Sequence, residues 1–489
     1  MEPSLLFDRF AEICRVPRES GNEGGMRCYL EAFAAVHGFA YREDYIGNLV
    51  MQIPGRGAGK GANPVILQSH TDMVCVKSPN SSHNFTKDEI RTLIERRVEG
   101  GVLQQVLTAD GTTLGADNGL GVAAALAAAT DPNITHCPPL ELLFTIDEER
   151  GLTGAAQLDP SLLTGRQLIN MDSEELGEIC ISCAGGRDMN TVWEVKRKAP
   201  TGPLAPFRVS LNGLPGGHSG VQINEGRGNA IQMLLQEIVN LFDGKPLFVS
   251  ELTGGSKRNV IPGTAAIAGW TTPEAAAALQ LAVDSQEPKK RIANQLAVGS
   301  DSVELIFETR IIPNRPLSDA QSLEIIQAIL AIPHGPQTMS DIVPGLVETS
   351  NNVAVLTTET KRITLACSTR SSRQNAISEF QEPVKARLEA RGALVSFGDG
   401  YPGWEADPDN PLLTKAEKVF VEVLGEAPHI TAIHAGLECG VLKGIIPDLK
   451  MISIGPSIID PHTVEERVLL NTVAPFYRCL TGLLSALSG

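Results

Sequence analysis

Short apolar segments alternate with helical segments through the first part of the chain, and this alternation constrains the fold more than any other feature. The apolar residues of segment 23–37 follow helical spacing, and they are Met26, Leu30, Phe33 and Val36. Residues 119–130 are rich in alanine and predict a tightly packed, buried helix. The predicted strands of this region are residues 48–53, 65–68, 140–146 and 167–171. Continuous apolar strands that alternate with helices favour an α/β fold with a largely buried sheet.

A second pattern begins after about Arg187, where longer amphipathic segments are separated by joints rich in Pro and Gly. The predicted helices of this part are residues 229–242 and 317–331, and its predicted strands are residues 208–211 and 363–367. The earlier pattern resumes at about Gly400, with a buried strand at residues 450–454. A final helix is expected at residues 472–487, with Pro475 in its first turn.

The length of 489 residues exceeds what one hydrophobic core usually organises. We therefore predict an α/β catalytic domain with a mixed sheet flanked by helices, formed by residues 1–187 and 400–489. An inserted α+β lid or dimerisation domain is predicted at residues 188–399.

The chain is acidic, with a formal net charge of −16. Nucleic acids and anionic membranes favour surfaces rich in Lys and Arg, so neither is expected as a partner. Nine cysteines, an odd number spread over the chain, indicate reduced thiols rather than a disulfide framework. The first residues lack a basic segment followed by an apolar core, and no apolar segment is long enough to span a bilayer. A cytoplasmic protein is therefore expected.

Polar residues with metal-ligand chemistry follow several of the predicted strands. His70 and Asp72 end the strand that starts near residue 65, and their spacing of two directs both side chains to one side of an extended backbone. A histidine beside a carboxylate suits metal ligation, because the carboxylate fixes the tautomer and orientation of the ring. An exposed polar strand end has the same pattern, so this motif alone leaves both interpretations open.

Two acidic motifs lie on either side of the Ala-rich segment. Asp117 precedes the predicted helix in a Gly-rich stretch, where a carboxylate is either a metal ligand or an N-cap. Asp147, Glu148 and Glu149 follow the strand at 140–146. Three adjacent carboxylates at the end of a buried strand repel one another unless one binds a cation and another shares a proton. A solvated acidic turn is the alternative for this motif.

Asp172 follows the strand at 167–171, and His462 lies downstream of the strand at 450–454. Catalytic groups gather at the carboxyl ends of strands in open α/β sheets, so one site is expected. Its candidate metal ligands are His70, Asp117, Glu149, Asp172 and His462. If Asp117 bridges, each of two metals has three protein ligands and a place remains for a shared water, which is a catalytic arrangement. Glu148, directed away from the metals, is then the natural general base.

These segments together resemble one family, the dimetal peptidases that include glutamate carboxypeptidase, aminoacylase, carnosinase and tripeptidase T. The resemblance spans the chain, and it rests on residues 69–74, 113–119, 147–149, 170–175, 216–220, 434–440, 454–456 and 461–462. The Ala-Asp-Asn-Gly run at 116–119 and the His-Ala-Gly-Leu-Glu-Cys-Gly run at 434–440 are similar to the bacterial aminoacyl-histidine (Xaa-His) dipeptidase branch of that family.

The resemblance implies two-metal hydrolysis of dipeptides, with a preference for a C-terminal histidine as in carnosine. It implies that His70, Asp117 and Asp172 hold one metal. The second metal would be held by Asp117, Glu149 and His462. Zinc is the expected metal, and cobalt or manganese would substitute for it.

The same resemblance assigns roles to residues outside the ligand set. Asp72 would orient the histidine ligand at the end of its strand, and Glu148 would be the base. The peptide bond after Asp117 would be cis. Asn259 and Arg370 would contact the substrate, with Arg370 facing the free α-carboxylate.

His218 lies in the Gly-rich turn at residues 216–220, far in sequence from every metal ligand. From this motif alone, an exposed loop histidine is the simpler interpretation. The resemblance instead implies a homodimer joined through the inserted domains. His218 would then cross the interface and donate a hydrogen bond to the oxyanion formed in the partner's active site.

Three competing functions stay open on the sequence. An amidohydrolase that deacylates N-acyl amino acids would use the same metal ligands. A serine hydrolase would need a nucleophile elbow around Ser219, but Val221 stands where its second glycine belongs. A metal-storage scaffold would not need Glu148 beside Glu149.

Overall fold

The computed structural model describes residues 1–199, 201–242, 244–311 and 313–489, and it contains both helices and strands. The α-helices in these ranges are α1 (Ser4–Ile13), α2 (Gly24–His37), α3 (Ala116–Thr130), α4 (Thr153–Ala156), α5 (Ala230–Phe242), α6 (Pro273–Asp284), α7 (Glu287–Ala293), α8 (Asp319–Leu330), α9 (Ala376–Glu389), α10 (Pro411–Leu424), α11 (Glu438–Ile445) and α12 (Leu470–Ala486). The strands are β1 (Ala40–Glu43), β2 (Leu49–Ile53), β3 (Val65–His70), β4 (Thr92–Glu99), β5 (Val102–Ala109), β6 (Leu140–Thr145), β7 (Gln167–Asn170), β8 (Glu178–Cys183), β9 (Gly185–Glu194), β10 (Ala205–Asn212), β11 (Phe248–Gly254), β12 (Ala265–Thr271), β13 (Glu304–Glu308), β14 (Gly335–Met339), β15 (Val347–Thr358), β16 (Arg362–Ser371), β17 (Leu394–Tyr401), β18 (His429–Ile433), β19 (Lys450–Ser453), β20 (Ile458–Ile459) and β21 (Arg467–Leu469).

The chain divides into two compact units. The first unit comprises Met1–Ser182, Trp404–Ala432 and Leu437–Gly489, and the second comprises Cys183–Gly403 and Ile433–Gly436. Most of the second unit is thus inserted between two parts of the first. Four further residues of the second unit, Ile433–Gly436, come from a later segment of the chain. The sequence did not indicate that segment.

The first unit contains an eight-stranded sheet in the order β1-β2-β6-β3-β7-β19-β8-β18. Its four middle strands, β6, β3, β7 and β19, are parallel, while β2 and β8 pair with them in antiparallel orientation. Every residue of β3 and β6 is buried. The predicted α/β fold with a mixed, largely buried sheet is confirmed. The carboxyl ends of the four parallel strands meet at one edge of the sheet.

The Ala-rich helix α3 packs directly on this sheet, against β3. Ala123, Ala124 and Ala125 have no exposed surface. Gly121 allows the closest approach, since a Cβ atom there would lie 2.7 Å from the carbonyl oxygen of Met171 and 2.8 Å from Ser69 Oγ. Small side chains therefore bring the first turn of α3 close to the edge of the sheet where the parallel strands end.

A second sheet of the first unit has four strands in the order β20-β21-β5-β4. The hairpin β4–β5 is antiparallel, and β21 pairs antiparallel with both β5 and β20. The turn between β20 and β21 carries His462.

The second unit has a nine-stranded sheet in the order β13-β10-β12-β11-β15-β16-β9-β17, with β14 also paired to β15. The neighbouring strands that pair in it are antiparallel. Helices α5, α6, α8 and α9 pack on its strands. The apolar core of this unit includes Phe207, Leu234, Ile267, Ile326 and Leu365. Separate helices packed on an antiparallel sheet constitute an α+β arrangement.

One local expectation, the position of Pro475, was wrong, and one apolar position of α2 is exposed. Val36 is 81% exposed, whereas Met26, Leu30 and Phe33 are buried. Helical spacing places Val36 at the margin of the apolar stripe, where neighbouring elements decide burial. The last helix begins at Leu470, so Pro475 lies beyond its first turn, where its missing N–H removes one hydrogen bond from the helix.

Within the described residues, a helix with both the length and the apolar character of a membrane span is absent.

Candidate metal centre

The carboxyl ends of the middle strands bring predicted site residues together in the first unit. His70 is the last residue of β3, Glu148 and Glu149 follow β6, and Asp172 follows β7. His462 comes from the turn between β20 and β21, beyond the end of β19. Parallel strands thus place residues that are distant in sequence at one edge of the sheet.

Asp117 reaches the same place from the start of α3. Gly115 has a φ of 68° and Asp117 a ψ of 113°, so the backbone leaves helical geometry there. The peptide bond between Asp117 and Asn118 is cis. Asp147 and His462 have positive φ values of 53° and 62°. Such values are uncommon for residues other than glycine, and they cluster at functional sites.

The two carboxylate oxygens of Asp117 face different partners. Oδ1 lies 3.0 Å from His70 Nε2, which is also 3.4 Å from Asp172 Oδ1. Oδ2 lies 2.9 Å from His462 Nε2, which is also 3.0 Å from Glu149 Oε2. Asp117 therefore stands between two groups, each with one imidazole and one further carboxylate.

The donor set fits divalent metal ions. One ligand atom each from His70, Asp117 and Glu149 lies within 4.8 Å of the others. Imidazole nitrogen and carboxylate oxygen are the ligands of catalytic zinc sites, and they also suit manganese and cobalt. Glu149 Oε1 is buried and has no hydrogen-bond partner among the described residues. A cation would satisfy this oxygen and offset the repulsion among the carboxylates.

Asp72 is fully buried and has two kinds of contact. Its Oδ1 lies 3.3 Å from His70 Nδ1, on the side of the ring away from Asp117. It also accepts hydrogen bonds from the backbone N–H groups of Glu148 and Glu149, at 3.1 and 3.2 Å, and from Ser20 Oγ at 2.6 Å. Although burial opposes ionisation, the contacts with His70, Ser20 and the Glu148 N–H hold the pKa of Asp72 well below its usual range. The sequence predicted the contact with His70 but not the hydrogen bonds from the N–H groups of Glu148 and Glu149, which hold the acidic turn.

His462 is the most exposed of the ligand candidates, with 49% of its side chain accessible. Its contacts with Asp117 and Glu149 raise its pKa to about 11 in the absence of a metal. The cluster therefore favours a positive charge at this position.

Two carboxyl groups near the ligands have pKa values that their surroundings raise. Burial, chiefly, raises the pKa of Glu148 well above its usual range, and the charges of Asp172, Glu438 and Glu149 add to the effect. Burial, followed by the charges of Asp117 and Asp172, raises the pKa of Glu174 to about 8. The described residues donate no hydrogen bond to either carboxylate side chain. Both groups are thus candidates for proton transfer, and Glu148 was the one predicted.

Glu438, at the start of α11, was quoted in a sequence run but was given no role. It has no exposed surface, and its Oε2 accepts hydrogen bonds from Gln68 Nε2 at 2.5 Å and Thr145 Oγ1 at 2.7 Å. Burial raises its pKa to about 7. Glu438 thereby links the ends of β3 and β6, and only the fold places it there.

The other predicted site residues lie in the second unit. Arg370, on β16, is 9% exposed, and its Nη1 donates to the hydroxyl of Tyr401 at 3.0 Å. Asn259 is exposed, and its carbonyl accepts from the N–H of Ser219 at 2.9 Å, beside His218.

The ring of His218 is oriented by its own turn. Its Nδ1 accepts hydrogen bonds from the N–H groups of Gly220 and Val221, at 3.2 and 3.3 Å. Burial, and then the charge of Arg370, lower its pKa below the usual value, which favours the neutral ring. A neutral ring that accepts at Nδ1 carries its proton on Nε2, which makes Nε2–H a donor.

The family of the chain follows from its sequence as a whole. The family model of peptidase family M20/M25/M40 matches residues 66–486. The chain belongs to this family. It is therefore a hydrolase that acts on peptide bonds.

Similar family members cover nearly the full length of the chain. The cytosol non-specific dipeptidase of Escherichia coli (strain K12) is 34% identical over 492 residues, covering 99% of this chain and 98% of that protein. The crystal structure of aminoacylhistidine dipeptidase from Vibrio alginolyticus is 35% identical with a TM-score of 0.89, covering 99% of this chain and 97% of that one. Aminopeptidase PepT from Bacillus cereus ATCC 10987 shares the fold, with a TM-score of 0.57 at 15% identity, covering 99% of this chain and 98% of that one.

Proposed function

We propose that the chain is a cytoplasmic two-metal dipeptidase with a preference for a C-terminal histidine. The observation that carries the two-metal proposal is the placement of Asp117. Its Oδ1 faces His70 and Asp172, and its Oδ2 faces His462 and Glu149. A carboxylate in this position would help to hold two ions, with His70 and Asp172 as the further ligands of one and His462 and Glu149 as those of the other.

Zinc is the proposed metal, since two imidazoles and three carboxylates match catalytic zinc chemistry. Cobalt and manganese accept the same ligand types, so they are proposed as substitutes. When bound, the two ions supply Lewis-acid polarisation of the peptide carbonyl and acidify a water beside it.

Glu148 is the proposed general base. Its carboxylate takes a proton from the attacking water as the new carbon–oxygen bond forms. It then returns the proton to the amine nitrogen as the carbon–nitrogen bond breaks. Burial, which raises the pKa of Glu148, favours the protonated form that this second step requires. Asp72 keeps the base in place, because it holds the N–H of Glu148 and contacts the ring of His70.

The substrate class rests on similar proteins and on Arg370. The relatives from Escherichia coli and Vibrio alginolyticus are described as a cytosol non-specific dipeptidase and an aminoacylhistidine dipeptidase. Both descriptions support a dipeptide substrate, while the Vibrio alginolyticus one supports the histidine preference and the Escherichia coli one supports the cytoplasmic location. Arg370 is the proposed clamp for the free α-carboxylate, since a guanidinium matches the geometry of a carboxylate. Its Nη1 is held by Tyr401, while Nε is buried without a partner among the described residues. Asn259 is proposed as a second substrate contact.

The test is a substrate panel on the zinc-loaded enzyme. Xaa-His dipeptides should be cleaved fastest, and tripeptides, N-acetyl amino acids and C-terminally amidated dipeptides much more slowly. Arg370→Lys should raise KM for free dipeptides about tenfold or more, as expected when a hydrogen bond to a charged group, worth about 1.5–3 kcal/mol, is lost. Arg187→Lys is the control, because Arg187 lies on the adjacent strand and bonds to Gln381.

Each outcome of the panel decides a different point. N-acetyl amino acids cleaved faster than dipeptides would replace the proposal with a deacylase. Equal rates on free and amidated dipeptides would contradict the carboxylate clamp.

The proposed assembly is a homodimer joined through residues 188–399, in which His218 acts on the partner's active site. The orientation of the ring supports this role, since Nδ1 is occupied by backbone N–H groups and Nε2–H is left as a donor. An oxyanion in a tetrahedral intermediate needs such a preorganised donor.

Subunit complementation should reveal this role. His218→Ala alone should lower turnover about 10²–10³-fold, the usual cost of one lost oxyanion donor. Glu148→Gln alone should also be nearly inactive. Mixed under conditions of subunit exchange, the two variants should regain part of the activity, because one site of the mixed dimer combines an intact Glu148 with the partner's intact His218. Mixed dimers that form, as shown by differently tagged chains, yet stay inactive would contradict action across the interface.

A further inference from the structure

Glu466 is a buried carboxylate outside the ligand set, and its oxygens bind a single segment of backbone. It is 2% exposed. It accepts hydrogen bonds from the N–H groups of Leu114 at 2.7 Å, Gly115 at 2.9 Å and Ala116 at 2.7 Å, and a longer one from Asp117 at 3.4 Å. Four successive donors that would otherwise be orphaned at the start of α3 are thus satisfied by one side chain.

The backbone of Glu466 is tied to the turn that carries His462. Its N–H donates to the carbonyl of Thr463 at 3.2 Å, and its own carbonyl accepts from Thr108 Oγ1, on β5, at 2.9 Å. Glu466 is therefore one bridge between two segments, the turn at residues 460–466 and the segment at residues 114–117. Each of these segments supplies one candidate ligand, His462 and Asp117 respectively.

Arg18 holds the same segment from the other side. Its guanidinium donates to the carbonyl of Gly115, and also to the carbonyls of Thr71 and Asp72 at 3.2 and 2.9 Å. The segment before Asp117 is thereby fixed through its N–H groups by Glu466 and through a carbonyl by Arg18. Arg18 sets the position of this segment relative to the end of β3, while Glu466 sets the position of the same segment relative to His462.

A carboxylate suits this position in a way that other side chains do not. It offers up to four acceptor positions and no donor, which matches four converging N–H groups. The arrangement is electrostatically costly, since burial and the charge of Asp117 raise the pKa of Glu466 while the bonds from Gly115, Leu114 and Ala116 lower it. A glutamine would turn an NH₂ group towards backbone N–H donors, and the contact on one side would be lost.

We propose that Glu466 is a positioning residue that sets the distance between Asp117 and His462, and thereby the affinity for the metal that these two residues and Glu149 hold. This proposal rests on the proposed two-metal function. The other metal would share Asp117, but its two further ligands, His70 and Asp172, lie at strand ends that Glu466 does not touch. The effect of Glu466 should therefore fall mainly on one of the two metal sites.

The test compares Glu466→Gln with Glu141→Gln. Glu141 is a matched control, because it is 3% exposed and also binds backbone, accepting from the N–H groups of Thr164 and Gly165 at 2.9 Å. It lies in β6, near the end of the sheet opposite the ligands. Zinc binding to the metal-free proteins is measured by equilibrium dialysis, together with amide hydrogen exchange of residues 114–117 and thermal unfolding.

Glu466→Gln should weaken one of the two zinc sites about 10–100-fold, the usual cost of removing a partner that orients a ligand, and leave the other close to wild type. Its amides at residues 114–117 should exchange faster. Glu141→Gln should bind both zinc ions as the wild type does, even if it loses as much thermal stability. If Glu466→Gln binds both zinc ions like the wild type while its amides exchange faster, the positioning role is overturned and Glu466 only stabilises the fold.

A second variant and the zinc binding of the controls distinguish a failure of the positioning role from a failure of the two-metal function. If Glu466→Gln does not fold, Glu466→Asp replaces it, since the shorter carboxylate keeps the charge and retracts from the N–H groups. Unchanged zinc binding in that variant would overturn the proposal. A wild-type protein and a Glu141→Gln variant that bind no zinc would overturn the two-metal function, and the positioning role with it.

Discussion

Glu148→Gln should lower the turnover of dipeptides by about 10²–10⁴-fold, the usual contribution of a well-placed general base. Metal content should stay near that of the wild type, because Glu148 is not among the ligand candidates that surround Asp117. Glutamine has nearly the same shape as glutamate but cannot accept a proton from water at neutral pH. The measurement is kcat at saturating dipeptide, with metal content by elemental analysis of the same sample.

The chain offers a matched control for this variant. Glu174 is another carboxyl group near the ligands whose pKa is raised by burial, to about 8. Glu174→Gln should retain far more activity than Glu148→Gln if Glu148 is the base. The opposite order would assign the proton transfer to Glu174, and near-normal turnover in both variants would place the base elsewhere.

Exhaustive chelation should abolish peptidase activity, and added zinc, cobalt or manganese should restore it. The reason lies in the cluster itself, in which the carboxylates of Asp117, Glu149 and Asp172 converge on two imidazoles, the ligand types of catalytic metal sites. Activity is followed during titration of the metal-free protein with each ion. Restoration should be complete at about two ions per chain if Asp117 bridges two sites.

Ligand variants provide the control for chelation. His70→Ala and His462→Ala should each lose metal as well as activity, in contrast to Glu148→Gln, which should lose activity alone. Full activity after chelation, in a sample shown by elemental analysis to be free of metal, would refute the metallopeptidase mechanism.

The sequence by itself determined the α/β character of the first unit and the residue types at its site. Strands that are buried on both faces are continuous apolar runs, so they can be identified in the sequence without knowing which strands they pair with. Polar residues at the ends of these runs are equally easy to identify. His70, Glu148, Glu149 and Asp172 follow such strands, and the carboxyl ends of parallel strands meet at one edge. The resemblance to a family of known chemistry added the division of the ligands between two metals and the expected roles of the residues in the second unit.

Only the tertiary structure decided how these residues combine. The strand order puts β19 beside β7 although the whole second unit lies between them in sequence, and no local pattern encodes such a pairing. The division of the two oxygens of Asp117 between His70 and His462 depends on angles at the start of α3 that composition does not reveal. Glu438 and Glu466 stand in the sequence as ordinary acidic residues. Their hydrogen bonds join segments hundreds of positions apart, so their placement is a property of the folded chain alone.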